Sequence, residues 1–234
     1  MHKRDMKFRK RCFDIFIRCG EFVCDFVFPR YCVVCGKIIP PGQKLCLCDE
    51  CADTAVRMRT VFDGEQINCT EIISALKYDG NIRTSMLKFK FKGIKHLGYT
   101  FGKLLADCIK NREFVNDDTV LTAVPIHDIR DREYNQSEVI ARVVCEELGM
   151  VYTSDLFYKI MPIERLSSME KQDKKFFIND AFLFNPTVNL SGKTVIVTDD
   201  VYTTGATLAV IAKELKKRGA KKVYALTACY SKKQ

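Results

Sequence analysis

"VIVTDDVYTTGAT", residues 195–207, is the stretch whose reading decides the fold. Val195, Ile196 and Val197 form a short apolar run, the pattern of a strand buried on both faces. Asp199 and Asp200 stand where that strand runs out. Thr203, Thr204, Gly205, Ala206 and Thr207 then turn into the helical pattern "TLAVIAKELKKRG". In an open α/β sheet, ligands gather beyond the carboxyl ends of the strands. The first amides of the following helix lack intrahelical partners and carry partial positive charge, which makes a seat for a phosphate. Gly205 lets the backbone come close, and the threonine hydroxyls add donors. The two carboxylates accept hydrogen bonds from sugar hydroxyls, or steady a magnesium ion held mainly by phosphates. One ligand satisfies both halves: a phosphorylated, hydroxyl-bearing sugar with a divalent ion. The plainer alternative is a solvated pair of acids beside a threonine cap.

Working outward, the pattern alternates. "TVLTAVPI" (119–126) reads as a second buried strand ending at Pro125, and "KKVYALTACY" (221–230) as a third. Residues 97–111 and 136–149 read as helices, the latter closed by Gly149. "EIISALKYDGNIRTSMLKFKFKG" (71–93) reads as a strand, a short helix and a basic loop. Residues 53–70 look like a polar junction, and 159–180 like a charged surface loop. Strands alternating with helices predict an α/β fold, a mostly parallel twisted sheet with helices on both faces. The expected division is residues 1–60, an N-terminal helix and cysteine module, and 61–234, the α/β domain.

Residues 12–28 carry helical period, with Cys12, Ile15, Phe16, Cys19, Phe22, Val23 and Phe26 on one face. Asp14, Glu21 and Asp25 on the other face favour docking on the protein itself over a membrane surface. The chain has 234 residues, 12 of them cysteine, and a formal charge of +9. With no secretory pattern and no run of roughly 18 apolar residues, the cysteines read as reduced thiols or metal ligands in a cytoplasmic protein. Cys32 and Cys35 form one C-x-x-C, Cys48 and Cys51 another, with twelve residues between the pairs. Two such clamps on a foldable linker predict a tetrahedral structural zinc site. Cys46 is a spare that can replace Cys48, while Cys12, Cys19, Cys24, Cys69, Cys108, Cys145 and Cys229 read as core or incidental thiols.

The "VIVTDDVYTTGAT" string resembles the phosphoribosyl pyrophosphate (PRPP) motif of type I phosphoribosyltransferases. More narrowly, "CVVCG", "LCDEC", the "KFKG" piece and "VPIHDIRDREYNQSEVIA" occur in the order of the ComF family, which joins a zinc module to such a domain. The resemblance implies that Thr203–Thr207 wrap the 5-phosphate and that Asp199 and Asp200 meet the ribose hydroxyls. It places Arg130, Arg132, Asn135, Gln136 and Lys90 on the pyrophosphate side. A guanidinium fork suits such oxygens, and Asn135 or Gln136 can instead cap the helix. The chain departs from the family at Glu133, where glycine is usual, and at Lys174 and Phe177, which replace an arginine and an asparagine. His96 and His127 are candidate bases by residue type alone.

Two functions follow from the sequence. One is a magnesium-dependent phosphoribosyltransferase, or a relative that binds PRPP without turnover. The other is a ComF-type protein of natural transformation that binds single-stranded DNA and works with DNA-uptake machinery. The positive charge and lysine-rich pieces such as "KFKFKGIK" would serve it.

Overall fold

The computed structural model describes residues 25–126, 133–159 and 182–231. Arg130, Arg132, His127, Lys174, Phe177, Cys12, Cys19 and Cys24, most of the 12–28 helix and nearly all of the 159–180 loop lie outside the described residues. The elements are α1 (Asp49–Ala55), β1 (Thr60–Asp63), β2 (Glu71–Lys77), α2 (Gly80–Phe91), α3 (His96–Ile109), β3 (Thr119–Ala123) and α4 (Gln136–Leu148). There follow β4 (Phe157–Lys159), β5 (Phe182–Phe184), β6 (Thr194–Tyr202), α5 (Ala206–Lys217) and β7 (Lys222–Tyr230). Among the described residues no helix is long and apolar enough to cross a membrane.

Five strands form one sheet in the order β1-β2-β7-β6-β3. The pairs β2–β7, β7–β6 and β6–β3 are parallel, and only the edge pair β1–β2 is antiparallel. β4 and β5 make a separate antiparallel pair.

The side chains of β6 alternate between two cores, as the period of a strand requires. Ile196 joins Leu121, Ile140, Val144 and Leu226 on one face, together with the apolar sides of α2 and α3. Val195 and Val197 join Leu208, Ile211, Leu215 and Val223 on the other. Helix α4 therefore covers one face and α5 the opposite one. Val195, Ile196 and Val197 are each within 1% of full burial, a state worth about 1.5–3 kcal/mol per side chain. The adjacent strands β3 and β6 thus send their following helices to opposite faces. That divergence opens a crevice at their carboxyl ends, where α/β sheets hold ligands.

Two expectations needed correction. The basic piece after "TSML" is not a loop: α2 continues to Phe91 because Ile82, Met86 and Phe89 keep helical spacing into the core. The 53–70 junction contains the end of α1 and the edge strand β1, whose four residues are alternately half-buried and exposed. A strand so short carries almost no periodic signal.

The packing of α3 on α4 is unusually close. A Cβ on Gly102 would lie 2.6 Å from Val143 Cβ and 3.0 Å from the Ile140 carbonyl oxygen, and one on Gly98 2.6 Å from Val139 Cγ1. Alanine would improve helix propensity by about 1 kcal/mol, but wedging these helices apart costs about 1–3 kcal/mol. Gly102→Ala should therefore lower the urea midpoint. A raised midpoint would show that the helices are not held at this distance.

Candidate functional site

The carboxyl end of β6 brings together the acids predicted from sequence. Asp200 is buried and accepts from Lys90 Nζ at 2.8 Å, the two side chains being 12% and 16% exposed. Asp199 Oδ1 accepts from Ser137 Oγ at 3.0 Å and from the Asp200 amide at 2.8 Å. Burial first, and the neighbouring Asp200 charge second, push the Asp199 carboxyl up to about 7. Lys90 comes from the last turn of α2, so a helix end presents it.

Folding raises the Asp199 pKa above its unfolded value near 4, so the native state holds that proton more tightly. The ionisation then costs stability as pH climbs from about 4 to about 7. Over that window wild type should lose stability relative to Asp199→Asn, read from denaturant midpoints at matched pH. Parallel curves would contradict the burial of this carboxyl.

Asn135 and Gln136 hold the two elements that frame the acids. Asn135 Oδ1 caps α4 by accepting from the Ser137 and Glu138 amides, and its Nδ2 donates to the Val124 carbonyl at 3.0 Å. Gln136 is 1% exposed and its Nε2 reaches the Lys90 carbonyl at 3.4 Å. Tyr134 donates to the Phe89 carbonyl at 2.5 Å. The backbone around Lys90 is thereby tied to the start of α4. The Glu133 carboxylate lies beside Gly93, 3.1 Å from where a Cβ would stand.

The turn after β6 is built around Gly205. Its φ of 73° is left-handed, and a Cβ there would meet the Tyr202 ring at 2.8 Å. Thr203 and Thr204 are exposed, Thr204 Oγ1 accepts from the Ala206 amide at 3.4 Å, and α5 starts at Ala206. A small cavity of about 50 Å³ lies between Asp199 and the Thr203–Thr207 turn. Opposite, Lys77, Asp79 and Gly80 end β2 and open α2 at the same edge of the sheet, with Lys77 and Asp79 paired at 2.7 Å. His96 is exposed at the start of α3.

Sequence reasoning missed Ser137 and Tyr202. Ser137 follows "NQ" directly, and its position at the first turn of α4 aims it at a strand-end acid. Nothing local to Tyr202 announces that its ring backs the glycine turn.

The four cysteines converge. The Sγ atoms of Cys32, Cys35, Cys48 and Cys51 all lie within 4.8 Å of one another, Cys35 and Cys48 at 3.6 Å. A turn with Gly36 at φ 76° folds the first pair, closed by Gly36 N to Cys32 O at 2.9 Å. Cys51 rides on α1. Burial opposes ionising Cys32, but amide hydrogen bonds from Cys35, Cys48 and Val34 outweigh it and bring that thiol down to about 7. Burial and the neighbouring thiols push Cys51 the other way. Cys46 stands apart: it is 1% exposed, and its amide donates to Thr100 Oγ1 on α3 at 2.9 Å. The cluster therefore contains Cys48 and not the spare. Its donor set, four thiols and no acid or imidazole, is consistent with a zinc module.

A family described as "Phosphoribosyl transferase domain" matches residues 90–234. The "Competence protein ComFC" of Bacillus subtilis (strain 168) is 24% identical over 194 residues, covering 80% of this chain and 72% of that protein. The "Competence protein ComFC" of Streptococcus pneumoniae is 25% identical over 223 residues, covering 82% and 96%. A hypoxanthine phosphoribosyltransferase structure from Staphylococcus aureus aligns at 14% identity and a TM-score of 0.35, over 58% of this chain and 62% of that one, under two thirds of its length. The family match takes in well over half of the residues, from Lys90 through the acid pair and the glycine turn to the final strand. The chain thus belongs to the phosphoribosyl transferase domain family.

Proposed function

We propose that this chain binds phosphoribosyl pyrophosphate with magnesium and is a pentosyl transferase in design. The observation that carries this reading is the adjacency, at one strand end, of an acid pair, Asp200 buried and Asp199 half-buried, and a left-handed glycine turn opening a helix. The amides and hydroxyls from Thr203 to Thr207 would receive the 5-phosphate. Asp199 and Asp200 would accept from the ribose hydroxyls. Lys90, with Arg130 and Arg132, would face the pyrophosphate, whose oxygens would carry most of the magnesium coordination. Type I chemistry rests on holding the leaving pyrophosphate and stabilising its charge, so it asks for no dedicated base.

Glu133 supports a second form of the same reading, binding without turnover, because it sets an acid beside Gly93 near the end of α2. The test of the shared claim is saturable, magnesium-dependent stabilisation of the zinc-loaded protein. Free PRPP at 100 times its Kd should add about 2.7 kcal/mol. A melting temperature unmoved by PRPP with magnesium would contradict it.

The cysteine cluster would hold a structural zinc ion, with every position filled by protein. We place the protein in the cytoplasm, where reduced thiols suit this role. A nucleic-acid role is the reading brought by the ComFC relatives. A groove of about 470 Å³ that carries Lys213, Lys217 and Arg218, with Glu214 among them, favours it by offering cations to phosphates. Its affinity for a short single strand should fall steeply with salt. A flat salt dependence would remove this second reading and the link to uptake machinery.

A further inference from the structure

The Lys90–Asp200 ion pair occupies the place where the proposed sugar hydroxyls would bind, so the ligand must deal with it. We infer that Lys90 is a resident counter-ion whose transfer from Asp200 to the ligand's diphosphate makes the site select ribose phosphates that carry both a diol and a 1-diphosphate. This inference rests on the reading above and gives Lys90 a specificity-determining role within it.

Three observations carry the inference. Both partners are largely buried and lie 2.8 Å apart, so neither charge can be left alone without a large desolvation cost. The Lys90 backbone is fixed, its carbonyl accepting from Gln136 and the preceding carbonyl from Tyr134. Only the side chain is free to relocate. A lysine also suits such a transfer, being a compact charge on a flexible four-carbon stem. Finally, the other acid is occupied differently: Asp199 takes its hydrogen bonds from Ser137 and the Asp200 amide. Among the described residues Lys90 is therefore the charged side chain that contacts the pair, and Asp200 the acid that a diol must win from it.

The consequence is a choice between ligands. Ribose 5-phosphate offers hydroxyls to Asp200 but no anion at C1 to receive the displaced ammonium. It would either strand Lys90 or leave the ion pair intact and forgo Asp200. PRPP supplies the hydroxyls and the receiving anion together. No bond is made or broken in this step; an ammonium exchanges one oxyanion partner for another.

The test is calorimetric titration of the zinc-loaded protein, with magnesium, by PRPP and by ribose 5-phosphate. A hydrogen-bonded charge contact is worth about 10-fold to 100-fold in affinity. Wild type should prefer PRPP by at least that factor. Lys90→Met should cut the preference by about 10-fold to 100-fold, weakening PRPP and leaving ribose 5-phosphate equal or tighter, and Lys90→Arg should restore part of it. Because Lys90→Met strands a buried carboxylate, Lys90→Met with Asp200→Asn provides a folded control, which should show the same reduced ratio. An unchanged ratio in these variants would overturn the inference while leaving the PRPP reading intact. Binding of neither sugar by wild type would overturn both.

Discussion

Stripping the metal from the purified protein should unfold residues 30–55 as a unit and take stability from the whole domain. A four-thiolate zinc site supplies on the order of 10 kcal/mol of folding energy, and few other features here are worth as much. The cysteine segment does not float free. Cys32, Val33, Ile39, Leu47 and Cys51 belong to the same core as Phe89, Phe101 and Leu105. The Asn81 amide nitrogen on α2 donates to the Val34 carbonyl at 3.3 Å, and Cys46 N reaches Thr100 on α3. Loss of the ion should therefore loosen both α2 and α3. Cys51→Ser should lower the thermal midpoint by many degrees and release zinc to a chelating dye without added denaturant. An apo protein that melts where the zinc-loaded one does would show that the thiols pack as a plain core.

The second large effect concerns the acids. Asp199→Asn with Asp200→Asn should abolish the stabilisation that PRPP gives with magnesium, a loss of about 2.7 kcal/mol at 100 times the wild-type Kd. Single-stranded DNA affinity should persist, because phosphate-seeking cations elsewhere carry it. The asparagines keep size and hydrogen bonding but leave the Lys90 ammonium without its carboxylate, so adding Lys90→Met provides a variant whose fold should survive. Retained PRPP stabilisation in the double variant would remove the acids from the binding site.

Much of this was legible in the chain. The buried runs at 119–123 and 194–202 announced parallel strands, and the acids and Gly205 announced the strand end where β6 turns into α5. Gly149 closes α4 at φ 67°, as its place after the helical period required. The cysteine spacing named the four that converge and left only Cys46 against Cys48 open. Burial beside Thr100 decides it, and no spacing rule could have done so. Other features depend on contacts distant in sequence. Lys90 and Asp200 are 110 residues apart and Ser137 and Asp199 are 62 apart, so only the sheet order brings them together. The edge strand β1 escaped notice because it is four residues long, and its Phe62 finds Tyr202 and Tyr230 only in three dimensions.

The most direct measurement is the electron density of crystals of the zinc-loaded protein grown with PRPP and magnesium. The account predicts the 5-phosphate against the amides of Thr203–Thr207, ribose oxygens facing Asp199 and Asp200, and the Lys90 ammonium drawn to the diphosphate. Well-ordered ligand bound elsewhere, or none beside those aspartates at saturating concentration, would contradict it.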